Sequence, residues 1–202
     1  MQPNFTYFAD EKNKSLPYLN LYTGKTQYIS YNQICSSTGI ASGNTYEEAI
    51  VHAICELVER YCYWLFCRKE LKIHSYINHK NNKWFNLSTK FNAQILLFDV
   101  SIFNIPVVVM LLLREDNIIG MELDCAPTYE IAIERCFTEM FQGVDLSQED
   151  SFPETLFALR DIDMDPQDAY HLLVGEHNGF YPKSIIDPFL NFNQNIQITI
   201  PE

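Results

Sequence analysis

Basic residues are scarce in this chain: 14 Lys and Arg stand against 26 Asp and Glu, for a net charge of −12. Nucleic acids and anionic membranes are gripped by basic patches that neutralise phosphates, so both are excluded as partners of the general surface. Glycine and proline are also few, at seven and nine, which argues against a disordered or low-complexity chain. The strongest apolar run, Val107 to Leu113, is far too short to cross a bilayer. The polar N-terminus lacks the apolar segment of a secretion signal. The six cysteines (35, 55, 62, 67, 125 and 136) include no CxxC pair. They read as reduced, buried thiols of a cytoplasmic protein and not as a disulfide framework. The five histidines (52, 74, 79, 171 and 177) show no zinc-ligand spacing, and His52, near the acids discussed below, reads as a helix-packing side chain.

What is present is enough for a packed core. Hydrophobic residues make up 47% of the 202 and aromatics 14%, without an internal repeat, so the chain reads as one domain or a large piece of one. A strand and turn are expected around Thr23-Gly24, and a first helix from about Thr45 to Lys69. Leu71 to Lys90 reads as loops and a short helix. Ala93 to Val100 reads as a strand, Asn104 to Pro106 as a turn, and Val107 to Arg114 as a buried strand. A loop at Glu115 to Asn117 would send Ile118 to Cys125 back antiparallel. A second helix spans Thr128 to Gln142. Asp165-Pro166 opens a short helix to about Glu176, closed by Asn178-Gly179, and Asn195 to Ile200 reads as a last strand. The order implies an α+β fold, an antiparallel or mixed sheet backed by long helices.

The first helix carries the chemistry. It grows out of a glycine-punctuated loop in the stretch Gly39 to Arg60, GIASGNTYEEAIVHAICELVER. With Glu48 as the origin of a helical wheel, His52 lies at about 40°. Glu56 falls at about 80° and Glu59 at about 20°, with Arg60 at the margin, at about 120°. The apolar residues Ile50, Ala53, Ile54, Leu57, Tyr61, Trp64 and Leu65 fall on the opposite side and read as the core stripe. Three carboxylates on one face, with no Lys at helical spacing, ask for a cation, and oxygen donors of this kind suit Mg2+. The plain alternative is structural. Thr45-x-x-Glu48 is a capping box, Glu47 is a first-turn acid favoured by the helix dipole, and Glu56 and Glu59 could face water.

The wording of this stretch resembles the nucleotide-binding block of the YcaO-like family. Ser42-Gly43-Asn44-Thr45-Tyr46-Glu47-Glu48-Ala49 is similar to the family's small-x-Gly-Asn-x-x-Glu-Glu-Ala start, and Ala53 to Arg60 to its Ala-x-x-Glu-x-x-Glu-Arg end. A second block, TYEIAIERCFTEMFQG from Thr128 to Gly143, resembles a later family helix through Ala132, Arg135, Glu139 and Gln142. Leu19 to Lys25 is a weaker third echo. The resemblance covers roughly residues 19 to 150, leaving 151 to 202 as an unassigned extension.

The resemblance implies ATP and Mg2+ as cofactors, spent on activating a backbone amide of a peptide for cyclodehydration or thioamidation. By the same likeness Asn44, Glu48, Glu56 and Glu59 would hold nucleotide or metal, with Glu48, Glu56 and Glu59 as the metal ligands. Arg60 and Arg135 would meet phosphate, and Glu139 and Gln142 would contribute to the same site. An intrahelical Arg135–Glu139 pair and a polar helix end at Gly143 would explain the second block equally well. Family members are longer and bring an earlier acidic helix, which this chain looks to lack, and azoline-forming members end in a proline-rich tail. The chain therefore reads as a single but partial YcaO-like domain over residues 1 to 202. A partner protein, or a second copy of the chain in a homodimer, would complete its site. A degenerate or split subunit acting as a non-catalytic binding or scaffold protein is the alternative.

Overall fold

The computed structural model describes residues 15–20, 23–30, 38–39, 41–78, 92–114, 117–142, 158–160, 164–174 and 180–200. The chain divides into two compact units, Met1–Ile40 and Ala41–Glu202. The first contains an antiparallel hairpin, β1 (Ser15–Asn20) and β2 (Lys25–Ser30). Its turn uses Gly24 at φ +65°, a left-handed conformation that a side chain would resist. Asn20 ties the turn by accepting hydrogen bonds from the N–H groups of Gly24 and Thr23 through its backbone and side-chain oxygens.

The second unit is built around a five-stranded sheet. Its strands are β3 (Ser75–Asn78), β4 (Gln94–Asp99), β5 (Val107–Arg114), β6 (Asn117–Cys125) and β9 (Gln197–Thr199), in the spatial order β6-β5-β4-β3-β9. All neighbours are antiparallel except β3 and β9, which run parallel. The sheet is therefore mixed and the fold is α+β. A separate parallel pair joins β7 (Ala158–Arg160) to β8 (Phe180–Pro182).

Helices cover both faces of the sheet. On one face lie α1 (Tyr46–Cys67), α3 (Pro166–Val174) and α4 (Lys183–Leu190), packed on Leu96, Phe98, Val109, Leu111 and Leu123. On the other lies α2 (Tyr129–Met140), whose Ala132, Ile133, Cys136 and Phe137 meet Leu97, Val108, Met110 and Leu112. Both side-chain sets of β5 are thus buried, which its unbroken Val-Val-Val-Met-Leu-Leu run requires. The segment expected to hold loops and a short helix contains β3 instead. Four residues are too short to show a period, and Ile77 enters the core there at 1% exposure. The rest of that segment, from residue 79, lies outside the described residues. The short helix α4 was not foreseen, because Pro188 stands inside it. The turn between β4 and β5 closes at Ile102–Ile105 with Phe103 and Asn104 at positive φ, and Phe103 stacks on Tyr61 of α1 at 6.1 Å.

The core stripe of α1 differs from the expected one. Leu57 and Tyr61 are 49% and 45% exposed, and Ile50, Ala53, Ile54, Trp64 and Leu65 are only half-buried. The buried residues are Cys55, Val58, Glu59, Cys62, Tyr63, Phe66 and Cys67. On the same wheel Cys55, Cys62 and Phe66 all fall within about 40° of Glu48, which is the glutamate side. Three cysteines and two aromatics make that side apolar enough to pack, so the acids are drawn toward the core with it. All five cysteines among the described residues are buried and free, as the absence of CxxC pairs led one to expect.

Candidate functional site

The loop before α1 is bound tightly to the helix's first turn. Thr45 Oγ1 accepts the Glu48 N–H at 3.2 Å, and Glu48 Oε2 accepts the Asn44 N–H at 2.7 Å, completing a capping box. The Asn44 backbone donor holds the Glu48 carboxyl below the usual range. Gly43 makes the approach possible: a Cβ there would stand 2.6 Å from Ala49 N and 2.9 Å from Glu48 Cβ. His52, on the next turn, shares a hydrogen bond with the Ser42 carbonyl through Nδ1 at 3.2 Å. These contacts bring Asn44 and Glu48 together, and Glu48 lines a cavity of about 300 Å³. Its lining includes Glu47, Glu48, Val51, His52, Cys55, Ile131 and Arg135.

Arg135 connects this cavity to a buried acidic cluster. Its Nε lies 2.9 Å from Asp124 Oδ1, while Nη2 stands 3.5 Å from Glu139 and 3.9 Å from Glu59. Glu59 is also 3.9 Å from Arg60. Arg135 and Glu139 do form the intrahelical pair, but Arg135 reaches beyond it to α1 and β6. The site therefore lies along β6, at the end of the strand order, with α1 and α2 on either side.

The electrostatics of this cluster are strained. Burial, with Glu139 and Glu56 nearby, raises the Glu59 carboxyl to about 7 against the pull of Arg60 and Arg135. Burial, helped by the neighbouring carboxylates, raises Glu122 and Asp124 to about 8 against the pull of Arg60 and Arg135 respectively. Asp124 is fully buried, and neither of its oxygens accepts an aligned hydrogen bond even with Arg135 Nε close by. Carboxylates in such surroundings either take up protons or take a cation.

Glu122 and Asp124 were missed in the sequence. Two acids at alternate positions of a strand look like an ordinary wet face. The signal against that was β5: its partner strand is apolar on both faces, so neither face of the sheet is wet. Of the expected residues, Glu59, Arg60, Arg135 and Glu139 are brought together. Glu56 sits half-buried beside them and shares the field at Glu59. Glu48 lines the cavity with Arg135, and Asn44 is hydrogen-bonded to Glu48. Gln142 is exposed just past α2, its N–H bonded to the Glu139 carbonyl. Glu48 and Glu59 are eleven residues apart, about 16 Å along the helix axis, so the three expected metal ligands cannot close on one ion. Among the described residues no three Asp, Glu, His or Cys side chains form a metal-holding group by themselves. Mg2+ commonly takes one or two carboxylates and completes its shell with phosphates and water, and the donor set here fits that use.

Carboxylates and an arginine thus gather between two helices and a sheet edge. The family model described as YcaO cyclodehydratase, ATP- and Mg2+-binding, matches residues 4–193, so the chain belongs to the YcaO family. Its cofactors are ATP and Mg2+. The match extends at both ends beyond the span of the motif resemblance. Comparison with curated proteins finds no match. Among the described residues no helix is long and apolar enough to cross a membrane.

Proposed function

We propose that this chain takes part in ATP-dependent activation of a peptide backbone amide, leading to cyclodehydration or thioamidation, with Asn44, Glu48, Glu56, Glu59, Arg60, Arg135, Glu139 and Gln142 serving the nucleotide and its metal. One observation carries the reading. The two motif blocks, nearly eighty residues apart, meet through the Arg135–Glu59 contact and line one cavity. Bound ATP and Mg2+ would supply a phosphoryl group for the amide oxygen, which then departs as phosphate when a Cys, Ser or Thr side chain or sulfide takes its place on carbon. Glu56, Glu59 and Glu139 offer anionic oxygen donors and so hold the metal's charge. Arg135 and Arg60 carry the positive charge that would meet phosphate oxygens. The capping box fixes Glu48 on the cavity wall with Asn44 bonded to it, which orients both without further ordering on binding. A partner protein or a second copy of the chain would present the peptide or complete the site.

Calorimetry of MgATP with the wild type and a Glu56→Gln/Glu59→Gln variant tests the site. Binding should be lost in the variant, and equal binding by both would remove these residues from it. Mass spectrometry of a Cys-, Ser- or Thr-containing peptide incubated with MgATP tests the reaction. Loss of one water, or exchange of oxygen for sulfur when sulfide is present, is the expected outcome. ATP binding without either change in any partner mixture would leave a binding subunit.

A further inference from the structure

Arg135 is held very unevenly. Its Nε end is fixed 2.9 Å from Asp124, a side chain with no exposed surface. Its Nη2 end has only long contacts, 3.5 Å to Glu139 and 3.9 Å to Glu59, and the side chain is 34% exposed where it borders the cavity. Burying the Asp124 carboxylate costs free energy, and neither oxygen recovers it through an aligned hydrogen bond. Val108, its β5 partner, and Cys136 beside it are fully buried, and Glu122, Glu59 and Glu139 add negative charge around it. Among the described residues the compensating group is the guanidinium.

From this asymmetry we infer that Asp124 is a positioning residue. It grips Arg135 by Nε and keeps the Nη2 end at the cavity wall, where a phosphate oxygen of the nucleotide can replace Glu59 and Glu139. The inference rests on the reading of the cavity as the nucleotide site. It adds a residue from β6 that belongs to neither motif block. A guanidinium suits this arrangement because its planar fork can bind a carboxylate on one edge and an anion on another. The loose end is also shared with the two carboxylates placed to receive Mg2+. A divalent ion there would neutralise the charge that holds Nη2, so metal and phosphate should strengthen each other's binding.

The test uses the full chain and compares wild type, Asp124→Asn, Arg135→Lys and the double variant. MgATP affinity is read by calorimetry, and Mn2+ alone by electron paramagnetic resonance. Above the Asp124 titration near 8, Asp124→Asn should weaken MgATP about tenfold, the size of a lost charged contact, and leave Mn2+ affinity unchanged. On the Arg135→Lys background it should add nothing, because both changes release the same group. A merely structural role would lower the melting temperature without this non-additivity. MgATP affinity unchanged in Asp124→Asn, additive losses in the double variant, or loss of Mn2+ binding in Asp124→Asn would each overturn the inference. Should Asp124→Asn fail to fold, nitrogen-15 spectra of the wild type decide. The Arg135 Nε–H signal, assigned by its loss in Arg135→Lys, should be protected from exchange and shift on adding magnesium tripolyphosphate; an unprotected or unmoved signal overturns it. If the wild type binds no MgATP, the cavity reading falls and this inference with it. If the wild type binds and Glu56→Gln/Glu59→Gln does not, while Asp124→Asn matches wild type, only the inference falls.

Discussion

Glu48 and Glu59 share one face of one helix, yet their surroundings push them in opposite directions. At the start of α1, Glu48 receives a backbone N–H from Asn44, which holds its carboxyl low. Three turns later, Glu59 is buried among Glu56, Glu139 and two long arginine contacts, and its carboxyl is raised to about 7. The first carboxylate is already satisfied by the fold. The second remains in deficit. A carboxylate's place on a helical wheel thus says less about ligand binding than the donors that reach it.

Substituting each in turn separates the two. Glu59→Gln should weaken MgATP about a hundredfold, the upper range for removing a group that supports a metal, and leave the unliganded fold at least as stable. Glu48→Gln should do the reverse, lowering the melting temperature by about 2 °C through the weakened cap with a smaller change in MgATP affinity. Calorimetry and thermal unfolding on both variants check the pair, and matching profiles would erase the distinction.

The pH response follows from the raised carboxyls. Glu59, Glu122 and Asp124 titrate near 7 to 8 when folded but near 4 when unfolded. Between these values the folded chain binds more protons than the unfolded one, so stability falls as pH rises. Without ligand the melting temperature should fall steadily from pH 5 to pH 8. Glu59→Gln should reduce that slope below pH 7, leaving the part due to Glu122 and Asp124, and Glu48→Gln should not. A slope of the opposite sign in scanning calorimetry would contradict the burial of these acids.

Gly43→Ala tests the satisfied end. The new methyl would meet Ala49 N at 2.6 Å, so the loop must move and the capping box loosen. A loss of about 4 °C in melting temperature is expected. The smallest effect belongs to the outer face of α1. Leu57→Ala should change stability by less than about 0.5 kcal/mol, because Leu57 is half exposed. A core-sized loss on denaturant unfolding would mean that the apolar stripe first read from the sequence is the packed one after all.

Much of the frame was legible because its signals are local. The cap at Thr45, the valine run of β5 and the proline opening α3 each act within a few residues, and the structure has α1, β4, β5, β6, α2 and α3 where they were read. The facing of α1 was not local. Aliphatic residues on its outer side outnumber Cys55, Cys62 and Phe66 in the pattern, although the latter pack on the sheet. Glu59 was singled out by its place on the helical wheel and by the first motif block, and Arg135 by the second. Asp124 was hidden because burial of its side of β6 depends on α2 covering that face, which no pattern within the strand displays.

The parallel pairing of β3 with β9 brings Asn78 beside Gln197, 119 residues further along the chain. Closing so long a loop is slow in entropic terms, and the strand after α1 cannot gain that neighbour until almost all of the intervening chain exists. During synthesis the edge of β3 must therefore stand open, and assembly of the sheet under the helices is a late event. Damage to the segment around Ile198 would act on a distant region of the molecule through the timing of folding, without touching a single residue of the acidic cluster.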